Sequence, residues 1–147
     1  MRLDFDLRLL AGPSVLVAAL FFTGCGGSGT PTYPVEGKVT FSDGRPLDGG
    51  TVELQPVVQQ QPPVAARGRI QSDGTFQIST FEPNDGAIEG EHRVRVVGPL
   101  PPGPIDPYQS PEPVIHHKFE SYDSSELTFT VTPDGPNQLN ITVEPPR

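Results

Sequence analysis

The densest set of side chains able to do chemistry is His116, His117, Glu120 and Asp123. Imidazoles and carboxylates this close together could ligate a metal ion, provided at least three of them converge. Exposed loop residues account for the same composition equally well. Adjacent histidines on a strand would point to opposite faces and could not easily share one ion. A second set is cationic, with Arg67, Arg69, Arg93 and Arg95 holding the only concentrated positive charge. If their two strands pair, these residues line one face with Glu53 and Glu91 as partners, and a solvated, salt-bridged face is the plain account of them. The Asp-Gly pairs at 43, 73, 85 and 134 lack the Asp-x-Asp-x-Asp spacing of a calcium loop. No Ser-x-x-Lys, Gly-x-Ser-x-Gly or phosphate-loop motif occurs. No catalytic residue, metal or cofactor is therefore expected.

The elements that must position these groups are bounded by composition. The chain has 147 residues, 16 Gly, 19 Pro, no Trp and a formal charge of -8. Gly and Pro at this level exclude a helix bundle, and the acidity repels phosphate backbones, so nucleic acid is not expected as a partner. The single cysteine, Cys25, can form no internal disulfide. It follows an apolar run from Leu9 to Phe22, about 21 Å long as a helix and so shorter than the hydrocarbon core of a bilayer. That length suits the apolar centre of a signal peptide. Phe22-Thr23-Gly24-Cys25 resembles the bacterial lipobox. That resemblance implies cleavage before Cys25, lipidation of its sulfur, and attachment to a membrane through the acyl chains. An uncleaved anchor or a plain secretory signal are the alternatives. Gly26 after the cysteine, in place of Asp, points to the outer membrane or cell surface of the envelope rather than the inner membrane.

Three segments follow from this. Residues 1–24 read as a lipoprotein signal peptide, and residues 25–34, rich in Gly and Ser, as a flexible tether with nothing to bury. Residues 35–147 read as the folded body. From Val35 onward the hydrophobic period is two: Val35, Gly37, Val39 and Phe41 alternate with Glu36, Lys38, Thr40 and Ser42. The same alternation recurs around Val52–Leu54, Phe76–Ile78, Val94–Val96, Leu127–Val131 and Leu139–Val143. Each run has one oily and one wet face, as a half-buried strand requires. A seventh strand is expected around Ala66–Gln71, joined to 75–79 as a hairpin by Ser72-Asp73-Gly74. The Asp-Gly pairs are expected to supply the positive-φ residues of tight turns. Seven short strands point to an all-β fold, a seven-stranded antiparallel β-sandwich. Residues 98–113 hold seven prolines and cannot join a central strand. Leu100, Ile105 and Tyr108 in that loop could meet a partner, although such loops are commonly passive.

Val35-Glu36-Gly37-Lys38-Val39, Asp43-Gly44-Arg45-Pro46-Leu47, Gly50-Thr51-Val52 and Asp73-Gly74-Thr75-Phe76 together resemble the opening of carboxypeptidase regulatory-like domains. Gly90-Glu91-His92-Arg93-Val94 and His117-Lys118-Phe119 extend the likeness toward Val143. The resemblance implies a transthyretin-like (prealbumin-type) sandwich with no catalysis of its own, common in bacterial lipoproteins. Two enzyme groups share related folds, and neither pattern is met. Hydroxyisourate hydrolases place a His in the first strand, whereas His92, His116 and His117 all lie later. Intradiol dioxygenases hold iron with two Tyr and two His, and of Tyr33, Tyr108 and Tyr122 the first falls in the tether. The expected function is thus a non-catalytic cell-envelope lipoprotein, anchored through Cys25, whose sandwich is a structural or protein-interaction module with protein partners in the envelope. The alternative is a small-ligand or carbohydrate-binding accessory module. The lack of Trp weighs against it, because sugar rings are usually held by stacking.

Overall fold

The structure, a computed structural model, describes residues 29–58, 63–100, 103 and 111–146. The expected signal peptide, Cys25 and most of the proline-rich loop, including Ile105 and Tyr108, lie outside the described residues. Every segment expected to be a strand is one. β2 (Val35–Phe41) buries Val35 and Val39 and turns Glu36 and Lys38 outward. β4 (Ala66–Arg69), β5 (Thr75–Gln77), β7 (Gly90–Val97), β8 (Leu127–Val131) and β9 (Asn137–Val143) follow the same in–out logic, whereas β3 (Thr51–Pro56) also buries Glu53 between Val52 and Leu54. β1 (Thr32–Tyr33) and β6 (Ala87–Ile88) are two-residue strands paired antiparallel. No α-helix occurs among the described residues; His117–Glu120 forms one 3-10 turn.

One sheet has the order β5-β2-β9 and another β4-β3-β7-β8. Val39, Phe76, Ile141 and Val143 of the first sheet and Val52, Leu54, Val94 and Val96 of the second belong to one buried cluster. Ile115 and Phe119 extend it at the 3-10 turn. Apolar faces meeting in this way are what drives two sheets together, and the arrangement is consistent with an all-β sandwich.

Three expectations are corrected. The sheets are not wholly antiparallel, because β2 and β9 run parallel from Val35↔Asn137 to Phe41↔Val143. Parallel neighbours need a long crossover, and here everything between the first and last long strands supplies it. The 67–71/75–79 hairpin is split between the sheets. Its arms bond near the turn (Gln71 N–H to Thr75 O, 2.8 Å) and again between Arg67 and Ser79 (2.9 and 2.8 Å). Even so, β4 ladders with β3 and β5 with β2. Gly68 permits the close crossing, since a Cβ there would sit 2.6 Å from the Gln77 carbonyl. Finally, the fold begins inside the tether, at Thr32. Tyr33 packs on the core while β1 pairs with β6, so the ring has something to bury against.

The turns follow their sequence chemistry with one exception. Gly44, Gly74 and Gly86 take φ of 87°, 83° and 89°, whereas Asp134-Gly135 does not use the left-handed region. That turn is held by the Asn137 side chain, which accepts from Thr132 N–H (2.9 Å) and donates to the Pro34 and Thr132 carbonyls (both 3.1 Å). Within β2, Gly37 is obligatory for a different reason: a Cβ would overlap the Leu139 carbonyl and lie 2.9 Å from the Phe76 ring.

Candidate functional site

Of the four candidate ligand residues, the structure stacks His116 on His117 and commits His116 and Asp123 to other partners. His116 is not on a strand; it caps the 3-10 turn, its Nδ1 accepting from Lys118 N–H at 3.2 Å. Its ring stacks on His117 at 4.5 Å rather than pointing to the opposite face. Asp123 accepts from Arg93 at 2.8 Å, and the Glu120 carbonyl lies 3.4 Å from an Arg95 nitrogen. Among the described residues no three His, Cys, Asp or Glu side chains form a group that could hold a metal ion. The physical reason is the strand order. It sets Arg93 and Arg95 of β7 beside this segment, where they bond one carboxylate oxygen of Asp123 and the backbone carbonyl of Glu120.

The arginine face is real, but its centre is Glu53. The two arginine strands do not pair with each other; β3 lies between them, with Glu53 opposite both Arg67 and Arg95. Arg95 donates Nε to Glu53 Oε2 at 2.8 Å and places a second nitrogen at 2.6 Å, while Arg67 stands at 3.5 Å from Oε1. Tyr122 closes the group from above: its hydroxyl donates to Glu53 at 3.2 Å, and its ring lies 4.8 Å from the Arg95 guanidinium. The hydrogen bond to Glu53 raises the Arg95 pKa further above its ordinary value. Burial, followed by the Glu53 charge, raises that of Tyr122. Glu91 takes no ion pair among the described residues and faces Thr130 instead. This cluster is internally satisfied, and it fastens the 117–126 segment to the sheet.

The open site is elsewhere, where the outward face of β5-β2-β9 meets the edge strand β4. A groove of about 650 Å³ runs there beside Gly37. Lys38, Arg67 and Arg69 line it together with Glu36, and the amides of Gln71, Gln77, Gln138 and Asn140 fill the intervals. The Glu36 carboxylate accepts from Gln138 Nε2. Alternation alone makes these residues a wet strand face; only the folding of β4 over β5 turns that face into a concave wall. The sequence signal lay in the polar, largely uncharged outward positions of β5 and β9, and nothing short of the sheet order could assemble them.

One further group stands out. His92 is 1% exposed on the inward face of β7. Its Nδ1 lies 3.0 Å from the Gly90 carbonyl, which can only accept, so Nδ1 carries the hydrogen. Nε2 is the one buried side-chain polar atom without a hydrogen-bond partner among the described residues. Burial lowers the His92 pKa, only partly opposed by the Gly90 bond.

Comparison with known proteins assigns none of these features: no family model, curated protein or solved structure matches the chain.

Proposed function

We propose that this chain is a lipid-anchored, non-catalytic β-sandwich module of the bacterial cell envelope, with a carboxypeptidase regulatory-like fold, that serves as a structural or protein-interaction element. The observation that carries the reading is the lone cysteine at the end of Phe22-Thr23-Gly24-Cys25, directly after an apolar run. Support comes from the spacing downstream. The fold begins at Thr32, and seven residues of extended chain reach at most about 25 Å, so acyl chains on Cys25 would hold the body close to the lipid surface. The all-β structure, with sheets of two, three and four strands, is compatible with a sandwich of that kind.

A second reading, a small-ligand accessory module, is favoured by the groove beside Gly37. The test of anchoring is mass spectrometry of the mature N-terminus from the native envelope, together with fractionation of a Cys25→Ser variant. The expected result is an acylated N-terminal Cys25 and loss of membrane association in the variant. An unmodified Met1, or cleavage without acyl mass, overturns the proposal.

A further inference from the structure

The groove beside Gly37 differs in charge from the protein around it. Lys38, Arg67 and Arg69 face one carboxylate, Glu36, in a chain of formal charge -8. Arg67 already leans toward Glu53, and Glu36 is bonded to Gln138. Lys38 and Arg69 make no ion pair among the described residues, and the Lys38 charge acts on the Asp73 carboxylate of the adjoining turn. Two cations outside any ion pair in a concave wall attract anions, against a surface that is acidic overall.

The neutral lining narrows the anion further. The Gln77 and Asn140 amides each present a donor and an acceptor, a match for paired hydroxyl groups. The one lining ring, Phe76, is 2% exposed, so neither a base nor a neutral sugar ring has a face to stack on. A peptide adding as a strand would require an open edge and one anchored by side chains an apolar pocket, while an acidic peptide held by charge alone is separated by the tetra-aspartate arm of the test below. The rim offers no such edge at Arg67 and Ser79, which exchange backbone hydrogen bonds, or between Gln71 and Thr75.

We propose that this groove binds an acidic oligosaccharide, with Lys38 and Arg69 holding its carboxylates and the amides of β5 and β9 its hydroxyl groups. This rests on the second reading above, that the groove is a ligand site, and is independent of acylation at Cys25.

The test is a calorimetric titration of the full chain in detergent with tetragalacturonate, alongside its methyl-esterified form and tetra-aspartate. The acid is expected to bind, more weakly as salt rises. The ester is expected to bind about tenfold less tightly, the worth of one charge-assisted hydrogen bond. A Lys38→Gln/Arg69→Gln variant should lose at least as much without a change in unfolding temperature, since both side chains are exposed. Equal binding of acid and ester, no loss in the variant, or no binding at millimolar acid overturns the proposal. Tighter binding of tetra-aspartate assigns the groove to peptides and overturns it as well. An acylated Cys25 with an empty groove would leave the anchor reading standing, so the two failures are distinguishable.

Discussion

At His92 a single hydrogen bond fixes the ring, and the second nitrogen faces the interior with its lone pair unused. Its strand-pair neighbours, Pro56 and Phe129, carry no charge, and Glu91 and Arg93 lie on the opposite face of the strand. A proton on Nε2 would therefore be buried without a counter-charge. The folded pKa lies below the ordinary 6.5, so above that pH both states are neutral and stability is complete. As pH falls through 6.5 the unfolded chain takes up its proton first. Stability then declines until the folded pKa is passed, by up to about 1.4 kcal/mol per pH unit. Denaturant titrations from pH 8 to pH 5 are expected to show this slope, and a His92→Phe variant to flatten it. An unchanged slope in the variant would place the titration elsewhere. The in–out period that buries Val94 and Val96 carries His92 to the same face, so its burial was legible in the sequence. Its missing partner was not, because that depends on which strands lie across the core. Glu53 makes the same point: its alternation gave an outward position, but only the order β4-β3-β7 sets it between two arginines.

The turn after β5 hangs on one side chain, Asp85. The Asp85 carboxylate accepts from the backbone N–H groups of Thr80 (2.6 Å), Phe81 (2.9 Å) and Glu82 (3.0 Å). Burial works against its ionisation, and these three bonds outweigh it, so the carboxyl titrates below its ordinary 3.8. The turn matters because it presents Gly86 against the Tyr33 carbonyl and delivers the chain to β6, the partner of β1. Asp85→Ala is expected to cost about 2 kcal/mol in denaturant unfolding, from three donors losing a charged acceptor. Asp85→Asn, which keeps one acceptor oxygen, is expected to cost less. The contribution of Asp85 is present above pH 3.8 and is lost as pH falls through the lower folded value, well separated from the His92 window. A cost under 0.5 kcal/mol for Asp85→Ala would show that the turn stands without its carboxylate. At this scale strand positions and most turns were readable, because alternation and Asp-Gly pairs are local signals. The parallel β2–β9 pairing, the split hairpin and β1 were not, because each is settled by contacts distant in sequence.

For the whole molecule the decisive contact joins the two ends of the folded chain. β9 is the last strand and runs beside β2 over seven residue pairs, while the other neighbour of β2, β5, offers only three. Leu139, Ile141 and Val143 of β9 point into the core and are 7%, 2% and 0% exposed. Burying three such side chains contributes on the order of 5–9 kcal/mol, comparable to the whole stability of a small domain, about 5–15 kcal/mol. The fold is therefore incomplete until its final strand is in place, and no shorter piece holds the groove, whose Gln138 and Asn140 also come from β9. A chain ending at Gly135 is expected to show no cooperative thermal transition and no dispersed amide spectrum. A chain ending at Glu144 should keep both, because Pro145 and Pro146 are exposed and belong to no strand. A cooperative transition in the shorter chain would mean that β2 and β5 close the sheet without β9. The groove would then have lost one wall from an intact body, and ligand binding could be compared directly with and without the β9 amides.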